Sequence, residues 1–114
     1  MRKIRTVSLA VMLSFGAAQA QEGEIWVKGS VNCALWASAR EAKTSGQLEH
    51  YVLGFINGVA LSYLREIWIY PNKIEPEQVY YFIDVYCANN PLQNVVDGTY
   101  ALFDDRFGKG WNLQ

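Results

Sequence analysis

From residue 30 onward the apolar positions recur at helical spacing, and polar residues fill the faces between them. Cys33, Trp36, Ala37 and Arg40 fall on one side of a first helix, capped by Ser30 or Asn32 and expected to reach about Lys43. Thr44 and Gln47 have the spacing of a capping box for the next element. That element carries the strongest pattern in the chain. Leu48, Tyr51, Val52, Phe55, Ile56, Val59, Ala60, Tyr63, Leu64 and Ile67 follow i, i+3, i+4, i+7, and Pro71 is the expected stop. Pro76 reads as the first residue of a third helix, with Val79, Phe82, Ile83, Tyr86 and Cys87 inward. Asn90 and Pro91 repeat that device as N-cap and first residue of a fourth, which turns Leu92, Val95, Val96, Thr99, Leu102, Phe103 and Phe107 to the core and ends at Gly108. The pattern predicts an all-α protein, a compact bundle of about four helices, with a loose tail from about residue 108.

The first twenty residues break this pattern. Arg2, Lys3 and Arg5 precede the apolar stretch Val7 to Phe15, and Ala18-Gln19-Ala20 supplies small residues where a signal peptidase cuts. Residues 1–20 are therefore expected to be a signal peptide, leaving a single domain over 21–114. The apolar run is too short for a membrane anchor, and no later segment has the length to span a bilayer. Cleavage removes three basic residues and no acidic one, so the formal charge moves from −1 to −4. An acidic chain offers no general attraction for phosphate backbones, which argues against nucleic acid as a partner.

Export to an oxidising compartment, the periplasm, gives the cysteines a meaning. Cys33 and Cys87 are the only two, and an even count there predicts one disulfide joining the first and third helices. Two cysteines and one histidine make a poor zinc site, and neither a metal nor a cofactor is expected.

The residues of ordinary catalysis are thin. His50 is the single histidine, and it lies off the apolar stripe. Asp104 and Asp105 are neighbours at a helix end and point about 100° apart, which suits a solvated terminus better than paired acid–base work. Gly54 and Gly58, one turn apart inside the long helix, each cost about 1 kcal/mol relative to Ala. Their expected use is close approach of a second backbone, first of all a neighbouring helix and otherwise a bound partner. Aromatics are abundant: fifteen follow residue 20. Trp68, Tyr70, Tyr80, Tyr81, Tyr100 and Trp111 lie outside the helical stripes. Trp68, Tyr70, Tyr80 and Tyr81, around the turn between the second and third helices, form the expected centre of a protein-binding surface.

The segments GFINGVALSYL (Gly54 to Leu64) and YCANNPLQNVVDGTYAL (Tyr86 to Leu102), behind a signal peptide and an early cysteine, give the chain a recognisable order. It resembles the Tai-type immunity family, small secreted helical proteins that neutralise amidase effectors delivered by type VI secretion. It is also similar to the periplasmic acid-stress chaperones HdeA and HdeB. The first resemblance implies a non-enzymatic inhibitor or immunity-like protein bound to a periplasmic effector or enzyme. The second implies a chaperone for unfolded clients, activated as its carboxylates protonate. An accessory subunit of a secretion or conjugation system is a third reading, and a homodimer is left open.

Overall fold

The computed structural model describes residues 28–113; the expected signal peptide and the lead at 21–27 lie outside them. Four α-helices follow one another: α1 (Cys33–Glu41), α2 (Gly46–Tyr63), α3 (Pro76–Asn89) and α4 (Val95–Phe107), then a 3-10 turn at Trp111–Leu113. The all-α bundle expected from the periodicity is what forms. Helix α3 packs against α1 on one side and α4 on the other, and α2 leans on α4. None of these helices is long and apolar enough to cross a membrane.

The helix starts show how polar backbone is satisfied. Asn32 caps α1, its Oδ1 accepting the Leu35 N–H at 2.7 Å. The segment before α1 also lies antiparallel to the segment before α4, with Asn32 opposite Asn94. Cys33 N–H donates to the Gln93 carbonyl and Val95 N–H to the Val31 carbonyl, each at 2.9 Å. Two amides that a helix N-terminus leaves unpaired are thus paired across the junction. Helix α3 begins as expected, with Glu75 at the N-cap, Gln78 Oε1 accepting the Glu75 N–H at 2.7 Å, and Pro76 next.

Three expected boundaries shift. Asn90 caps the end of α3 rather than the start of α4, its Nδ2 donating to the Tyr86 carbonyl. Pro91 then occupies a turn, α4 starts four residues later behind Asn94 and its capping partner Asp97, and Leu92 is 96% exposed instead of inward. At the start of α2, Ser45 rather than Thr44 is the N-cap. Its hydroxyl donates to Glu49, and the Thr44 amide is already spent on the Ala39 carbonyl. At the other end α2 stops at Leu64, in the left-handed region with φ 52°, seven residues before Pro71. The Glu66 carboxylate accepts the Trp68 and Ile69 amides at 2.6 and 3.2 Å, so a local side-chain-to-backbone arrangement outcompetes further helix. Ile67 is then buried from outside the helix.

The core is built from Trp36, Val52, Ile56, Val79, Ile83, Val95, Thr99 and Phe103, all fully buried, with the disulfide Cys33–Cys87 among them. Removing one such large apolar side chain from water stabilises the fold by about 1.5–3 kcal/mol. Gly98 is where two helices come closest. A Cβ there would lie 2.9 Å from Tyr86 Cδ1 and 3.0 Å from Ile83 Cδ1, so only glycine lets α3 and α4 meet in this way. The tail is not loose: Trp111 is 3% exposed and sits among Phe103, Tyr63 and Tyr100 at centroid distances of 4.9, 5.2 and 6.0 Å. Its Nε1–H donates to Asp104, and its carbonyl accepts from Arg65. Asp104 is therefore a tail anchor, while Asp105 remains exposed.

Candidate docking surface

Between α2 and α3 the chain forms a loop that turns apolar side chains outward. Leu64, Ile69 and Tyr70 are exposed, the last two at 70% each. The backbone beneath them is tied down at several points. Arg106, from the last turn of α4, donates through Nη2 to the carbonyls of Tyr70 and Asn72 at 3.0 and 2.7 Å. Burial pushes its guanidinium pKa down, against the opposing pull of Glu66 and Asp105. The Ile74 N–H donates to the Trp68 carbonyl at 2.8 Å and closes the loop on itself. Ile67 anchors it in the core, and the half-buried Trp68 reaches back to α2 through Nε1–H donated to Asn57 at 3.0 Å. The loop is a fixed shape with an apolar tip.

The four aromatics expected to form one binding centre separate here. Trp68 and Tyr70 belong to this loop. Tyr80 does not: at 9% exposed it is a core residue, tilted against Trp36 at 6.3 Å with the Arg40 guanidinium 5.8 Å from its ring. Adjacent helical residues point about 100° apart, so burying Tyr80 turns Tyr81 to solvent, 69% exposed. Among the described residues no ring contact or hydrogen bond joins Tyr81 to Trp68 or Tyr70. Leu64, expected on the apolar stripe of α2, is instead turned to solvent where the helix ends in the left-handed region, and Ile69 was not singled out by sequence, although Ile69-Tyr70 immediately before Pro71 marks a turn that shows its side chains. Arg106 gives no sequence signal at all for its role.

Arg40 organises a second cluster. Its Nε and Nη2 donate to the two carboxylate oxygens of Asp84 at 2.9 and 2.8 Å, and Trp36 Nε1–H donates to the same carboxylate at 2.8 Å. Glu49 lies 3.8 Å from the guanidinium, so α1, α2 and α3 meet at one charge cluster. The hydrogen bond to Asp84 raises the Arg40 pKa above the ordinary arginine value. With Asp84 held by both Arg40 and Trp36, and Glu49 close by, the cluster is a brace between helices.

The glycine pair of α2 is corrected as well. Gly54 and Gly58 are exposed, and a Cβ on either would meet nothing within 4 Å, so no neighbouring helix approaches them. Close packing falls on Gly98 instead. The pair lies beside an open groove of about 510 Å³ walled by Phe55, Val59, Tyr63 and Tyr100. Phe55 and Tyr100 meet edge to face at 5.9 Å. His50 is exposed, and among the described residues no group of three or more His, Cys, Asp or Glu is placed to hold a metal ion. Compared with family models, with curated proteins and with solved structures, the chain matches none of them.

Proposed function

We propose that the protein is a non-enzymatic, exported inhibitor of the immunity type, which acts in the periplasm by seating the Leu64–Ile74 loop in a partner protein. The observation that carries this reading is the combination of an apolar tip with a braced backbone. Ile69 and Tyr70 stand in water at a cost, while Arg106, Glu66 and Ile67 hold the segment beneath them. A loop ordered before binding loses little conformational entropy on binding, so more of its contact energy becomes affinity. Tyrosine is among the residues that most often dominate such contacts. Exposed apolar side chains such as Ile69 and Tyr70 suit a concave partner, such as the cleft of an enzyme. The buried disulfide fits an oxidising compartment.

The test is capture from periplasm at neutral pH with the wild-type chain and with Ile69→Asp/Tyr70→Ala, both checked for native circular dichroism. The wild type is expected to retain one stoichiometric protein, and the double variant to lose it with at least about a hundredfold weaker binding. Co-expression with that protein should restore host growth only for the wild type. Absence of any stoichiometric partner, or equal retention by the double variant, overturns the proposal.

A further inference from the structure

Just ahead of the described residues the sequence places Ile25, Trp26 and Val27 together, three large apolar side chains in a row. Lys28, Gly29 and Ser30 follow, all exposed, with Gly29 at φ 70°, and Val31 is then buried. The pairing at Val31 sets the direction in which this lead leaves the bundle. Asn32 lies antiparallel to Asn94, and the Val31 carbonyl accepts the Val95 N–H at 2.9 Å. Followed back from Asn32, the chain moves in the sense in which α4 advances from Asn94, and away from Leu92. Tyr100 stands five residues along α4 from Val95, a rise of about 7.5 Å. Trp26 stands five residues back from Val31, with a reach of up to about 17 Å. Beside Tyr100, α2 and α4 leave the open groove of about 510 Å³ whose walls are Phe55, Val59, Tyr63 and Tyr100. Its rings are held in place: Phe55 meets Tyr100 edge to face at 5.9 Å, and Tyr63 meets Trp111 in the same way at 5.2 Å.

We infer that the chain's own lead, Ile25 to Val27, lies in this groove with the Trp26 indole against Tyr63 and Tyr100, as a strap across α2 and α4. Tyr63 and Tyr100 are 41% and 40% exposed, so the strap removes apolar ring surface from water on both sides of the contact. It desolvates no formal charge, because neither the three lead residues nor the four wall residues carry one. Competing occupants start at a disadvantage. Only Lys28, Gly29 and Ser30 separate the lead from the anchored Val31, and a tether that short gives an effective concentration of about millimolar. A second copy or a different protein would have to exceed it. The Leu64–Ile74 loop keeps its exposed tip, so the strap and the docking reading stand or fall separately.

The experiment is NOE spectroscopy on the chain as exported, with Cys33–Cys87 oxidised, using isotope-labelled protein alone and diluted into an excess of unlabelled protein. Cross-peaks from the Trp26 indole protons to the rings of Tyr63 and Tyr100 are expected. Their intensity per labelled chain should survive the dilution, since they arise within one molecule. Trp26→Ser identifies them by their loss. Gly58→Phe puts a ring into the groove, where a methyl would only narrow it, and it does so in open space. Its far-UV spectrum should stay native, while the Trp26 cross-peaks disappear and the indole opens to acrylamide quenching. Leu92→Phe, at an exposed site on the other side of Asn94 in the chain, should change neither. Cross-peaks that fade on isotope dilution give the groove to a second copy and overturn the assignment. A wild type without them, or cross-peaks that persist in Gly58→Phe, place the lead elsewhere and overturn it as well.

Discussion

Tyr80 and Tyr86 show how burial at single residues becomes a property of the whole fold. Burial raises the pKa of both phenols, with Glu49 and Glu77 adding to the effect at Tyr80 against Arg40, and Asp97 adding at Tyr86. The folded state thus holds these protons more tightly than the unfolded chain does. Below about pH 10 both states are protonated and the contribution to stability is fully present; as pH rises from there toward the folded-state values, the unfolded chain ionises first and stability falls. Urea unfolding midpoints measured from pH 8 to 11 are expected to drop over that window. Tyr80→Phe with Tyr86→Phe keeps both rings and should flatten the drop. Midpoints that decline in parallel for wild type and double variant would assign the loss to other groups.

At the scale of elements, the helical stripes were legible because burial imposes a period of 3.6, and that period survives wherever a helix packs on one side. Val52, Ile56, Val79, Ile83, Val95 and Phe103 are core residues as the spacing required. Ends were less legible, because several residues compete for each cap. Asn90-Pro91 gave the expected start of α4, but the helix begins behind Asn94. Asn94 won because its backbone is clamped against the segment before α1, a contact between residues far apart in sequence. The early stop of α2 depends on the Glu66 side chain, and the docking loop on Arg106, neither of which leaves a periodic trace. Glycines are the sharpest case, since spacing alone cannot tell open space from close approach. The two situations carry opposite signs. Gly54→Ala or Gly58→Ala adds helix propensity with no collision and should stabilise the chain by about 0.5–1 kcal/mol. Gly98→Ala forces the new methyl into the Tyr86 ring and should destabilise by about 1–3 kcal/mol in spite of the same propensity gain. Thermal melts of the three variants check both signs, and a stabilised Gly98→Ala would mean that α3 and α4 sit further apart than described.

Across the whole molecule two closures hold different halves. The disulfide joins α1 to α3 with a Cα–Cα distance of 5.0 Å and a sequence separation of 54. A loop of that length stabilises by about 4 kcal/mol in the chain-entropy model. Helix α2 and the docking loop lie between the two cysteines, but in the folded state other contacts position them. They are held by the far end of the chain: Tyr63 meets Trp111 edge to face, Arg65 donates to the Trp111 carbonyl and lies over Phe107, and Arg106 grips the loop carbonyls. The two closures should therefore fail separately under amide hydrogen exchange. Trp111→Ala removes a buried ring at a cost of about 3–5 kcal/mol, and the largest loss of protection is expected in the second half of α2 and in residues 64–75, with α1 and α3 less affected. Reducing Cys33–Cys87 should reverse that order. If Trp111→Ala instead loosened all four helices equally, the bundle would be one cooperative unit and the tail no special support of the loop. If the order holds, the last residues of the chain set the rigidity of the proposed docking loop, so Trp111→Ala should weaken partner binding while leaving Ile69 and Tyr70 chemically intact.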